Sequence, residues 1–316
     1  MAFVTFGLQQ TLSVRRAACA RTCAVQGAGR PGARRSAVST TATRTLRMSE
    51  QPLIDLRGKK ALITGIANNK SIAWGIAQSL KQAGAEIGIT FLPMNEKVES
   101  KVRALTEPLE PTLFIELDVQ KPEQIQGMAN AIETQWGGQV DVFVHCLAFA
   151  NRDDLLGSFS KTSLEGWNTA LSISAHSLCT TTAALKPYMK PGSSVLTLSY
   201  LGATKVIPNY NVMGVAKAAL ESSTRYLAHE YGPDGIRVNA ISAGPLRTLA
   251  SSAIGGISGM MKHVEATAPL RQAITTKQVG DAAAFLLSEA ASGITGQVLF
   301  VDSGYEIMGA PPGVKE

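Results

Sequence analysis

Acidic residues are missing from the first 49 positions of this 316-residue chain, and so is lysine, yet eight arginines stand there (15, 16, 21, 30, 34, 35, 44 and 47). Taking those eight from the 30 basic residues leaves 22 against 24 acids, so the formal charge of +6 becomes −2 for residues 50–316. The basicity belongs to the leader, and the overall charge is no argument for binding nucleic acid or an anionic surface. Cysteine is scarce as well: Cys19 and Cys23 fall in the leader, and Cys146 and Cys179 alone follow it. Neither a disulfide framework nor a zinc motif can be drawn from them. The four histidines have no partner spacing, so no metal site is expected. No run of 18 apolar residues occurs, and no membrane span is predicted.

The leader is rich in Ala, Ser, Thr and Arg and carries no apolar period. Residues 1–49 therefore read as an organellar transit peptide without fixed structure, a plain disordered basic tail being the alternative. A reducing interior suits the unpaired cysteines.

From residue 50 onward short apolar runs alternate with amphipathic stretches. Strands are expected over 61–64, 87–91, 113–117, 140–147, 194–198, 236–241 and 298–301. Helices are expected over 72–83, 95–105, 122–136, 163–188, 210–231 and 276–288. Strands without polar alternation are covered on both faces, and their alternation with helices implies parallel order. The fold class is a doubly wound α/β sandwich of Rossmann type: about seven parallel strands with helices on both faces, in a single domain over 50–316. Ligands in such sheets sit beyond the C-terminal strand ends, where the strand order reverses.

The first strand runs into Thr64-Gly65-Ile66-Ala67-Asn68-Asn69-Lys70-Ser71-Ile72. Gly65 allows the sharp turn, and a helix starting near Ser71 aims N–H groups at a pyrophosphate. Only one glycine of the usual G-x-G-x-x-G is present, so an ordinary strand-helix turn is an even alternative. Neither an acid nor an arginine marks the end of the second strand at Leu92, a slight lean toward NADH that leaves NADPH open. Asp118, with Val119 beside it, can accept from an adenine amine or serve as a helix N-cap. His145, alone in an apolar strand, reads as a core residue.

Tyr210 and Lys217 are seven residues apart; on a helix this is about 700° of rotation, so both share a face some 10.5 Å apart in rise. In this setting Lys217 can hold ribose hydroxyls, lower the phenol's pKa and stabilise charge developing nearby. Residues 246–271 mix glycines with Ile254, Ile257, Met260 and Met261, a pattern suited to a lid over an apolar chain.

The motifs Ser199-Tyr200-Leu201-Gly202-Ala203, 208–217 and 237–248, with 65–77 and 145–154, resemble the NADH-dependent enoyl-acyl-carrier-protein reductases of type II fatty-acid synthesis, cyanobacterial and plastid type. These belong to the divergent branch of the short-chain dehydrogenase/reductase superfamily, and the similarity spans about 53–309. The resemblance implies that Tyr200, Tyr210 and Lys217 are catalytic, with Lys217 also on the cofactor ribose. It assigns Gly65, Ser71 and Ile72 to the pyrophosphate turn, Asp118 and Val119 to adenine, and Leu147 to a fourth-strand contact. Leu246, Arg247, Thr248, Leu249 and Ala250 become the nicotinamide loop. Leu92 occupies a cofactor position that is polar in some members. Phe149, Ala150, Tyr200, Tyr210, Ile254 and Met260 would meet the acyl substrate. The implied reaction adds hydride to C3 of a trans-2-enoyl thioester held on acyl carrier protein, with Tyr210 donating to the carbonyl oxygen; the C2 proton is left to Tyr210, Tyr200 or water. A carbonyl reductase on the same scaffold and a catalytically silent nicotinamide-binding sensor are the alternatives. The resemblance also implies a homotetramer, and it tips the leader's destination toward the plastid stroma, with the mitochondrion second.

Overall fold

The computed structural model describes residues 52–253 and 256–309, so the leader and Ile254 lie outside the described residues. Seven strands form one parallel sheet: β1 (Lys60–Ile63), β2 (Glu86–Phe91), β3 (Leu113–Glu116), β4 (Val142–His145), β5 (Ser194–Ser199), β6 (Arg237–Ala243) and β7 (Val298–Val301). Their spatial order is β3-β2-β1-β4-β5-β6-β7, as expected of a doubly wound sheet. The order reverses between β1 and β4, which pair Ile63 with Val144.

Alternate residues of each strand feed opposite layers. Ala61 and Ile63 of β1, Val144 of β4 and Leu196 of β5 pack with Ile76 and Leu80 of α1 (Ile72–Gln82), Val102 of α2 (Glu96–Thr106) and Ala283 of α9 (Thr276–Leu287). On the other face Leu62, Phe143 and Val195 meet Met128 of α3 (Pro122–Gln135), Leu178 of α6 (Ser177–Leu185) and Leu220 of α7 (Asn211–Tyr231). Period-2 strands between period-3.6 helices make two apolar layers, each worth roughly 25 cal/mol per Å² of apolar surface removed from water.

Local signals set the helix ends. Thr275 Oγ1 accepts from the Gln278 N–H while the Gln278 side chain returns to the Thr275 N–H, closing a capping box on α9. Asn95 caps α2 by accepting from the Val98 N–H. Pro122 sits in the first turn of α3, where its missing N–H costs nothing. Lys121, and not Asp118, holds the N-cap position of that helix, without a side-chain cap. α1 and α9 approach so closely that a Cβ on Gly75 would strike the Thr276 carbonyl.

Two expectations change. The helix expected over 163–188 is broken into α5 (Leu164–Leu171), a π-helical turn at Ser172–His176 and α6. Periodicity cannot register this, because one wide turn displaces the apolar stripe by a single residue. The loop after β4 holds a short helix, α4 (Arg152–Leu155), and the stretch expected as a lid contains a real helix, α8 (Ile257–Thr267). Among the described residues no helix is long and apolar enough to cross a membrane.

Candidate active site

At the reversal point the Thr64 hydroxyl donates to the Val144 carbonyl (3.0 Å) and accepts from the Cys146 N–H (3.0 Å), stitching β1 to β4. Gly65 follows at φ 86°, and a Cβ there would run into the Cys146 carbonyl. Its replacement would fill the cradle above the strand ends as well as strain the turn. Ser71, in the place of a later glycine, works through its side chain: Oγ accepts from the N–H groups of Ala67 and Asn68, both at 3.1 Å. The turn is thus tied down by a hydroxyl, and α1 begins at Ile72 with its first N–H groups toward the cradle.

The other expected cofactor residues lie along the same edge. Leu92, at the end of β2, is 49% exposed. Asp118 and Val119, beyond β3, are half-buried. The Asp118 carboxylate accepts from the Gln120 N–H at 3.0 Å and stands 3.9 Å from the Lys121 ammonium. Leu147 is half-buried at the end of β4, and Phe149 is 48% exposed. After β6, Ser251 Oγ donates to the Leu246 carbonyl (2.7 Å) and accepts from the Thr248 N–H (2.8 Å), closing a tight loop. Arg247 donates to Ser258 Oγ of α8 (2.7 Å), and Leu249 and Ala250 are exposed beside it.

The aromatic pair stands over this edge. Tyr200 leaves the end of β5 and Tyr210 caps α7; their rings meet edge to face with centroids 5.0 Å apart. Such a pair is worth about 1 kcal/mol beyond its buried area. Ala150 and Leu155 pack against it with Met213 and Ala216. Tyr210 lies just outside the helix: Asn209 (φ 62°) and Asn211 (φ 30°) flank it in strained backbone. Its carbonyl accepts from the Met213 N–H at 2.9 Å, and Lys217, seven residues on, is buried as Tyr210 is. Across from the rings Tyr200 donates to Met260 Sδ at 2.8 Å, which brings lid helix α8 onto the site. The expected substrate residues Ala150, Tyr200, Tyr210 and Met260 are brought together, and Phe149, 48% exposed, lines an opening together with Ala150.

Lys217 is buried and donates to the Leu198 carbonyl at 2.6 Å, leaving two ammonium protons for a ligand. Burial lowers its pKa to about 8, an effect opposed by its neighbours Cys146 and Glu221. The phenols move the other way from what was expected. Burial raises Tyr200 to about 12, with Tyr305 adding to the effect, and raises Tyr210 further, with Tyr200 adding. Lys217 bonds to the strand and not to the phenol, so desolvation wins. Both tyrosines are therefore hydrogen-bond donors throughout the neutral range.

His145 is a core residue: its ring nitrogens meet Thr197 Oγ1 (3.1 Å) and Ser177 Oγ (2.8 Å), and burial pushes its pKa down to about 3. Sequence reasoning missed Ser174, on the π-helical turn. Its Oγ accepts from the Phe149 N–H (3.0 Å) and donates to the Phe149 carbonyl (3.1 Å), fixing the loop beside Ala150. Only the unrecognised bulge could have revealed it. The residues present fit a dinucleotide, by the open cradle at Gly65 and the two unused protons of Lys217.

A family model described as "Enoyl-(Acyl carrier protein) reductase" matches residues 65–306. The enoyl-[acyl-carrier-protein] reductase [NADH] FabI of Nostoc sp. is 61% identical over 258 residues, covering 81% of this chain and 100% of that protein. Among solved structures, the Bacillus cereus enoyl-acyl carrier protein reductase with NADP+ and indole naphthyridinone is 46% identical with a TM-score of 0.78, covering 81% of this chain and 100% of that one. The enzyme from Anaplasma phagocytophilum in complex with NAD is 40% identical with a TM-score of 0.76, covering 82% and 97%. With its seven-stranded parallel sheet and the tyrosines and lysine at one strand end, the chain belongs to the enoyl-(acyl carrier protein) reductase family, within the short-chain dehydrogenase/reductase superfamily.

Proposed function

We propose that this protein is an NADH-dependent enoyl-acyl-carrier-protein reductase, an oxidoreductase that saturates the C2=C3 bond of trans-2-enoyl thioesters delivered on acyl carrier protein. The observation that carries the reading is the tyrosine pair at the end of β5, Tyr210 buried and Tyr200 half-buried, edge to face at 5.0 Å, with Lys217 anchored to the same strand end. Bound NADH would supply hydride to C3 of the enoyl group. Negative charge then moves to the thioester oxygen, and a neutral phenol whose pKa is raised by burial is suited to donate a hydrogen bond there. Tyr210 is assigned that role and Tyr200 lines the substrate, while Lys217 holds the ribose hydroxyls. Gly65, Ser71 and Ile72 would receive the pyrophosphate and Asp118 the adenine. Helix α8, through Met260, closes over the acyl chain and limits water. NADH is preferred because no cationic side chain occupies position 92 for a 2′-phosphate.

Nicotinamide absorbance followed with a crotonyl thioester should fall, and it should stay constant with an acetoacetyl thioester. Oxidation with the second substrate alone would replace this reading by a carbonyl reductase, and none with either by a cofactor-binding sensor.

Lys217→Ala is expected to weaken NADH binding about tenfold or more, since a charged hydrogen bond contributes roughly 1.5–3 kcal/mol. In the unsubstituted enzyme NADH affinity should decline as pH rises through about 8, where the buried ammonium loses its proton. Titration by fluorescence quenching checks both; an unchanged dissociation constant in Lys217→Ala removes the ribose role.

The arginine-rich, acid-free leader and the 61% identity to a cyanobacterial relative support import into the plastid stroma, with residues 1–49 as the transit peptide. A fluorescent protein fused behind those residues should collect in plastids, and accumulation in mitochondria or cytosol refutes the assignment.

Self-association as a homotetramer is supported by a shallow groove between the α5, π-turn and α6 run and α7, where Leu171, Ala175, Cys179 and Ala219 stand beside Ser172, His176 and Ser223. Light scattering should give four chain masses, and a monomer overturns this.

A further inference from the structure

A buried carboxylate that the scheme above does not use lies directly behind the lysine and the tyrosines. Glu221 stands one helical turn beyond Lys217 on α7 and is 7% exposed. It accepts a hydrogen bond of 2.5 Å from the hydroxyl of Ser199. Ser199 is the last residue of β5, itself buried, and the next residue is Tyr200. Lys217 donates to the carbonyl of Leu198, the residue before Ser199. Helix α7 therefore grips β5 at two successive residues, once through a cation on a carbonyl and once through a hydroxyl on a carboxylate. Tyr200 projects immediately beyond that double grip. A glutamate on the core stripe of a helix is costly to desolvate, and a leucine there would pack without that penalty. The position is thus better explained by what the charge does than by packing.

We propose that Glu221 is a positioning residue for the reduction: through Ser199 it fixes the strand end from which Tyr200 projects, and its negative charge keeps Lys217 in the ammonium form. This rests on the enoyl reductase reading. The titratable groups around Lys217 are His145, the last residue of β4, Cys146 just after it and Glu221, with Tyr210 seven residues before the lysine at the start of α7. His145 is neutral, with its pKa pushed to about 3, and burial holds the Cys146 thiol at about 11. The tyrosine keeps its proton for the same reason. The Glu221 carboxylate is what remains to balance the ammonium at neutral pH.

The test uses the purified protein, NADH and a crotonyl thioester, with kcat, kcat/KM and NADH affinity measured across pH. Glu221→Gln keeps an acceptor for Ser199 but removes the charge. Its alkaline limb in kcat/KM and in NADH affinity should move down by about one pH unit. Ser199→Ala removes the hydrogen bond and keeps the charge. It should lower kcat about tenfold through misplacement of Tyr200, with the alkaline limb and NADH affinity unmoved. Glu221→Asp keeps the charge on a shorter arm and should restore the limb without restoring kcat. A purely structural role would lower thermal stability in all three variants and leave the limb in place.

An unmoved limb in Glu221→Gln overturns the proposal, as does wild-type kcat in Ser199→Ala. Should Glu221→Gln fail to fold, Glu221→Asp decides: a limb at the wild-type position with reduced kcat supports the role, and wild-type kcat or a displaced limb defeats it. Unsubstituted protein without activity on crotonyl thioester defeats the enoyl reductase reading instead, and the pH dependence of NADH affinity still reads the coupling of Glu221 to Lys217.

Discussion

A lysine buried against the end of a β-strand is the constraint around which the rest of this molecule is arranged. Lys217 sits on the core stripe of α7, where a leucine would be cheaper by several kcal/mol, and its ammonium is spent on the Leu198 carbonyl at 2.6 Å. Holding that charge out of water requires a strand end at fixed distance, which β5 supplies from the middle of the sheet. It also requires opposing charge, which Glu221 supplies from one turn along. The same desolvation that lowers the lysine to about 8 lifts the neighbouring phenols, so one low-dielectric setting holds a lysine that is cationic up to about pH 8 and tyrosines that keep their protons. Donors of that kind suit charge developing on a thioester oxygen.

The sheet makes this arrangement affordable in structural terms. Parallel strands covered on both faces leave only their C-terminal ends open, and the reversal between β1 and β4 parts the loops that would otherwise close over them. Gly65 at φ 86° and the Ser71 hydroxyl shape one side of that opening. Tyr200 and Tyr210 shape the other, and α8 leans over through Met260. Each contact is local, but the opening exists only because strands distant in sequence end side by side.

Much of the fold was legible because its signals are strong and redundant. Continuous apolar strands such as 61–64 and 87–91 can be satisfied only between two helical layers, and capping residues such as Asn95 and Thr275 mark where helices begin. The π-helical turn at Ser172–His176 was not legible, since its wide turn leaves composition and approximate period intact. Ser174, held by that turn against Phe149, went unseen with it. Glu221 could have been suspected: it falls on the stripe of Val212, Met213, Ala216, Leu220, Thr224 and Leu227, where a carboxylate needs a partner.

The sequence by itself determined the alternation of strands and helices, the charge confined to residues 1–49, and the presence of Tyr200, Tyr210 and Lys217 at a strand-helix junction. Periodicity and turn chemistry are local and survive being read in one dimension. Tertiary structure alone decided the direction of the phenol pKa shifts, the partner of Lys217 and the placement of Tyr210 outside its helix between two positive-φ asparagines. Those depend on burial and on atoms from β4, β5 and α8, and desolvation is set by whatever surrounds a group in space, which its neighbours in the chain do not specify.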